Sequence, residues 1–150
     1  TLSAYGILIA AVQAGLLPQM TKRLGDYRTL MFSSMAAVIA LIGFGFSTAA
    51  WAVAIVIPIA ALSDMAPPLL TAIAANKVAD DQQGLVQGVI ASLASVAAVV
   101  APLVLTGVFE RFVNNKGLYF PGAPFFIAAV LIIAIIPLIL CLNPRRILRS

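Results

Sequence analysis

The sequence has no histidine and one cysteine, Cys141. It therefore lacks the commonest general base and any imidazole metal ligand, and a single thiol can close neither a disulfide nor a zinc site within the chain. Charge is nearly as scarce. Asp, Glu, Lys and Arg make up only 9% of the 150 residues, and no polar stretch is long enough to build a soluble domain. No glycine-rich phosphate loop precedes a lysine, and the only adjacent acids, Asp80 and Asp81, sit in a short segment between apolar runs. There they suit the positive end of the helix that follows. These absences leave little room for an enzyme, and no cofactor or metal is expected. What is abundant is apolar: 63% of the residues are hydrophobic and the mean hydropathy is +1.11, far outside the range of soluble globular chains. An all-α, multi-pass integral membrane protein is expected. A net charge of +4 would point to nucleic acid in a soluble protein, but here the basic residues fall in short clusters between apolar runs. Orientation in the lipid bilayer is the simpler reading, with no nucleic-acid partner.

A hydrocarbon core about 30 Å thick takes about 20 apolar residues of helix. Charged and turn residues then mark out five spans, at about residues 2–20, 30–47, 51–75, 85–109 and 123–142, as one transmembrane bundle. The connections are short, as between antiparallel neighbours. Lys22, Arg23, Arg28, Lys77, Arg145, Arg146 and Arg149 lie on one side, and Arg111 and Lys116 on the other. The positive-inside rule puts the first set in the cytoplasm, so that the N-terminus lies outside and the tail inside. Trp51 then sits at the outer interface. The chain opens at Thr1 without an initiator Met or the flanks of a signal peptide, and five is an odd number of spans, so a longer native protein is expected.

Polar residues within the spans are few enough to weigh one by one. Gly84, Gly88 and Ser92 recur every four residues on the fourth span, a small-residue stripe that permits close approach of another helix. Gln87, Ser95, Pro102 and Thr106 continue on an adjacent face, which should look inward because polar groups in lipid need partners. The last span is apolar throughout and should meet lipid on much of its circumference. On the third span, Asp64 lies thirteen residues from both Trp51 and Lys77, at ~20 Å from either flank. A carboxylate at that depth costs about 2.5 to 3.5 kcal/mol and should face the bundle interior or a wet cavity. Ala60, Ala61, Pro67, Pro68, Thr71 and Ala75 share its face, whereas Ile59, Leu62, Leu69 and Ile73 fall elsewhere. Pro67 and Pro68 have no N–H for the carbonyls of Ser63 and Asp64, and Pro58 none for that of Ala54. Helix breaks are therefore expected at Pro58, Pro67, Pro68 and Pro102. Asp64, Ser63 and Thr71 are candidates for a substrate or proton pathway, with Gln13, Gln87 and Ser95 as weaker ones. The competing reading makes Asp64 a neutral structural residue, hydrogen-bonded to Ser63 or to a neighbouring helix.

The run "DDQQGLVQGVIASLASVAAVVAPLVLTGVF", residues 80–109, resembles the eleventh helix and preceding loop of major facilitator superfamily transporters, particularly the branch containing the tetracycline/proton antiporters. The segment "TKRLGDYRTL" looks like the basic loop between helices eight and nine, and "YFPGAPFF" like the entry to helix twelve. The resemblance implies that the five spans are helices 8–12 of a twelve-helix fold whose N-terminal half is missing from view. It also implies proton-coupled efflux of a small molecule or drug by alternating access, in a bacterial inner membrane. The third span would line the cavity, with the first and fourth beside it and the second and fifth at the periphery. The loop motif, carried by Lys22, Arg23, Gly25, Asp26 and Arg28, departs from the family's fuller form: Lys22 stands where that form has an acidic residue, and Pro18 where it has a glycine. Positive-inside anchoring with a helix break at Gly25 is the plainer reading of it. The alternative from another class is a helical membrane module that does not transport, or an inactive remnant of a transporter.

Overall fold

A computed structural model of the chain describes residues 2–47, 50–114 and 120–141. Lys116, Tyr119, Leu142, Arg145, Arg146 and Arg149, used above for span ends, orientation and resemblance, lie outside the described residues. Among the described residues all regular structure is helical: α1 (Leu2–Ala11), a π turn (Val12–Leu16), α2 (Leu17–Leu24), α3 (Asp26–Phe46), α4 (Ala50–Ser63), α5 (Ala66–Ala75), a 3₁₀ turn (Asp80–Gln82), α6 (Gln83–Asn114) and α7 (Ala123–Cys141).

Four segments are long and apolar enough to cross a membrane: Asp26–Phe46, Trp51–Ala75, Asp80–Val113 and Ala123–Cys141. They correspond to the second to fifth expected spans. Among the described residues, the first expected span, 2–20, does not form a single helix of that kind. The first expected span is not one uninterrupted α-helix, because the π turn divides it into pieces of 10 and 8 residues. Pro58 and Pro102, expected to break their helices, lie inside α4 and α6, which run on through them. A proline removes one bond and bends a helix, and an apolar run in lipid has no better alternative than to stay helical. The break falls at Asp64 and Met65, just ahead of the Pro67-Pro68 pair that opens α5.

The hub is α3, which packs against α4 and α7 and also touches α2 and α5. The resemblance places this second span at the periphery. Within this chain it is central instead, and its residues show why. Thr29, Leu30, Ser33, Ser34, Ala36 and Ala40 are all buried, a nearly unbroken face of small side chains. Where lipid tails are as apolar as leucine, helices associate through close van der Waals contact, and small residues permit it. Ala40 packs with Val56 and Ala60 of α4, flanked by Phe44 and Ile59. One turn on, a Cβ at Gly43 would come within 2.7 Å of Val56 Cγ2. The hydroxyls of Thr29, Ser33 and Ser34 are satisfied by backbone carbonyls: Ser33 and Ser34 both donate to that of Leu30, at 2.9 and 2.8 Å, and Thr29 to that of Gly25 at 2.9 Å.

The α3–α7 seam closes with aromatic rings. Phe46 meets Phe126 edge to face at 5.0 Å between centroids, and Phe44 lies 5.9 Å from Phe125. By contrast, the contacts of α6 with other long helices among the described residues are chiefly with α5 and α7. None of its membrane-length stretch is buried.

Candidate functional site

Within the third span, helical structure is interrupted at the Asp64–Met65 turn. Met65 donates to the Leu62 carbonyl three residues back, at 3.4 Å, and the α pattern resumes with Leu69 donating to Met65 at 3.3 Å. Around the turn, Ala60, Ala61, Met65, Leu69 and Ala75 are buried, while Asp64 and Ser63 are half-buried. Leu69, placed off the Asp64 face by a continuous helical wheel, is inside at 4% exposure, and Pro67 and Pro68 are exposed. Ala61, Met65 and Leu69 follow one another at four-residue spacing, so the buried stripe of α4 runs on through the turn into α5, beside the face that carries Asp64.

The carbonyl of Asp64 has no N–H to receive from Pro68. It is reached from another helix: Nε2 of Gln13, in the π turn, donates to it at 3.1 Å. Gln13 and Asp64 are thus brought together across 51 residues of sequence. The hydroxyl of Ser63 turns instead to the Ala60 carbonyl at 2.6 Å, and that of Thr71 to Pro67 at 3.1 Å.

The other candidates stand apart from this centre. Gln87 and Ser95 are exposed on α6, where Ser95 donates to Ala91 at 2.9 Å and Ser92 to Gly88 at 2.8 Å. A Cβ added at Gly84 or Gly88 would meet nothing within 4 Å. The small-residue stripe therefore faces open space in the described chain. Ahead of α6, Gln83 Nε2 donates to Asp80 Oδ1 at 2.9 Å and steadies the 3₁₀ turn.

In the basic loop, Lys22 and Arg23 fall in the last turn of α2, favourable against the helix dipole, and Asp26 in the first turn of α3. Gly25 separates the two helices with φ 81° and ψ 161°, a region essentially reserved for glycine. Its carbonyl also receives both the N–H and the hydroxyl of Thr29. Gly25→Ala should therefore cost about 1 to 3 kcal/mol, read as a lowered unfolding midpoint in detergent micelles. An unchanged midpoint would show that the corner relaxes freely. Beyond the corner, Lys77 Nζ, following α5, lies 5.8 Å from the centroid of the Tyr27 ring. This contact brings the third connection beside the first, and with it two of the basic clusters. It went unread in the sequence because Tyr27 and Lys77 are fifty residues apart, although an aromatic and a lysine at two loop edges on one side are a legible hint.

The helices and their composition define an all-α membrane protein, with a broken, acid-bearing helix tied to a neighbour. Among known proteins, the chain is 30% identical over 110 residues to a tetracycline resistance protein, class G, of Vibrio anguillarum, covering 73% of this chain and 28% of that protein. It is 26% identical over 137 residues to the class C tetracycline resistance protein of Escherichia coli, covering 91% and 34%. Similarity extends to hippocampus abundant transcript-like protein 1 of Homo sapiens, at 24% identity over 147 residues, 88% of this chain and 29% of that one. The chain thus spans about a third of the length of the curated relatives it matches. No family model matches it, and no solved structure does. The resemblance to the tetracycline resistance branch read from the sequence is borne out.

Proposed function

We propose that the chain is part of a secondary active transporter that exports a small molecule, of the tetracycline type, in exchange for protons. The observation that carries this reading is the similarity to two tetracycline resistance proteins over 73% and 91% of the chain. In this reading the chain supplies five of twelve helices of a major facilitator fold in a bacterial inner membrane. Its beginning lies outside, its tail is cytoplasmic, and an N-terminal half completes the cavity. Alternating access then moves the halves around a site near the midplane, where discontinuous helices gather carbonyls and polar side chains. The break at Asp64 and Met65 has that character, and it supports α4 and α5 as a cavity-lining helix.

The test is drug accumulation in inverted membrane vesicles carrying the longest reading frame that contains these residues. An imposed proton gradient should drive tetracycline uptake that a protonophore abolishes, and the 150 residues alone should give none. Vesicles that accumulate neither tetracycline nor other classes of drug would favour a helical module without transport.

A further inference from the structure

The Asp64–Met65 break and the Val12–Leu16 π turn are irregularities in neighbouring helices, and one hydrogen bond joins them. Pro68 cannot satisfy the Asp64 carbonyl from within its own helix. An unbonded carbonyl in a low-dielectric surrounding is costly, and the Gln13 amide at 3.1 Å removes that cost. Gln13 is the second residue of the π turn, which is closed by Leu17 N–H donating to the carbonyl of Val12, five residues back. One extra residue in a turn rotates everything beyond it by about 100° relative to a regular helix. The π turn therefore sets the face on which Gln13 emerges relative to α2. The other side-chain hydrogen bonds named above all close within four residues of sequence, whereas this one is tertiary.

We infer that Gln13 is a positioning residue that stands in for the N–H missing at Pro68, so that the π turn of the first helix and the break of the third hold each other in place and yield together. When the bond is released, Leu17 N–H is free to move to the Gln13 carbonyl in the ordinary α pattern. The segment α1 then turns about its axis relative to α2, and the Asp64 carbonyl loses the Gln13 amide. The coupling holds whether or not the chain belongs to a transporter, because it rests on one side-chain amide and the backbone groups around it.

Hydrogen exchange on the chain in lipid nanodiscs, read as a double-mutant cycle, tests it. Gln13→Leu should speed exchange of the amides in 60–70 and in 12–17 together, by roughly tenfold. Pro68→Ala restores the missing N–H, and in that background Gln13→Leu should change exchange by less than about twofold. Gln13→Asn keeps the amide but withdraws it by about 1.5 Å. It should act in the same direction and be cancelled in the same way, and it serves if the leucine variant does not insert. Independent, multiplying effects of the two positions would overturn the coupling, as would an effect confined to one of the two segments. A Gln13→Asn chain indistinguishable from the unmutated one in both segments would overturn it too.

Discussion

Gly122→Val should detach α7 from α3 and lower the stability of the chain by about 3 kcal/mol, read as the free energy of unfolding in mixed micelles. At Gly122 a Cβ would collide with the carbonyl oxygen of Gly45 and come within 2.9 Å of its carbon and 3.1 Å of its Cα. These are backbone atoms in the last turn of α3, which cannot swing aside as a side chain can. The two glycines bring the backbone of α3 against the turn that opens α7, next to the Phe46–Phe126 and Phe44–Phe125 contacts. A Cβ at Gly45 itself would meet the ring of Phe126, so Gly45→Ala should cost less, since a ring can turn. Gly88→Val supplies the control, because nothing lies within 4 Å of a Cβ there. If the valine at 122 costs no more than the one at 88, the seam is not the close contact described.

The second large effect concerns transport. Asp64→Asn, made in the longest reading frame, should abolish proton-driven uptake in vesicles while leaving insertion and folding intact or improved. The two expectations have opposite signs, and that opposition is the useful part. A carboxylate midway along a membrane helix costs about 2.5 to 3.5 kcal/mol, so its removal ought to help the fold if the fold is all it serves. Retained exchange of substrate across the membrane with loss of gradient-driven accumulation would assign Asp64 to coupling, and loss of both to substrate contact. Unchanged transport with an unchanged pH dependence would leave it a structural residue.

Much of the fold was legible because lipid imposes a simple rule of length. The boundaries 51–75 and 123–142 nearly coincide with Trp51–Ala75 and Ala123–Cys141, since Trp51, Lys77 and Pro121 mark the ends of apolar runs unambiguously. The site was legible in parts. The prolines and Asp64 pointed to a broken helix, yet only Pro67 and Pro68 sit at an actual break, since a lone proline can be absorbed by a helix that has nowhere else to satisfy its backbone. The π turn left no mark, because "VQAGL" differs in no obvious way from an ordinary helical segment and its insertion is stabilised by a partner 51 residues distant. The role of α3 was missed for a different reason. Ser33, Ala36, Ala40 and Gly43 form the same kind of small-residue stripe that was read on the fourth span. On the fourth span that stripe stands open, and on α3 it is filled.

The helix α6 has 32 residues, so it is ~48 Å long, against a hydrocarbon core of about 30 Å. Even its apolar stretch, residues 85–109, exceeds that thickness by several ångströms. Such a mismatch is met by leaning or by thickening the surrounding bilayer. Beside α6 a cavity of about 500 Å³ lies between Leu41, Pro102, Leu105, Phe109 and Phe125, which come from α3, α6 and α7. A change in membrane thickness should therefore be felt first at α6, whose length exceeds the hydrocarbon core.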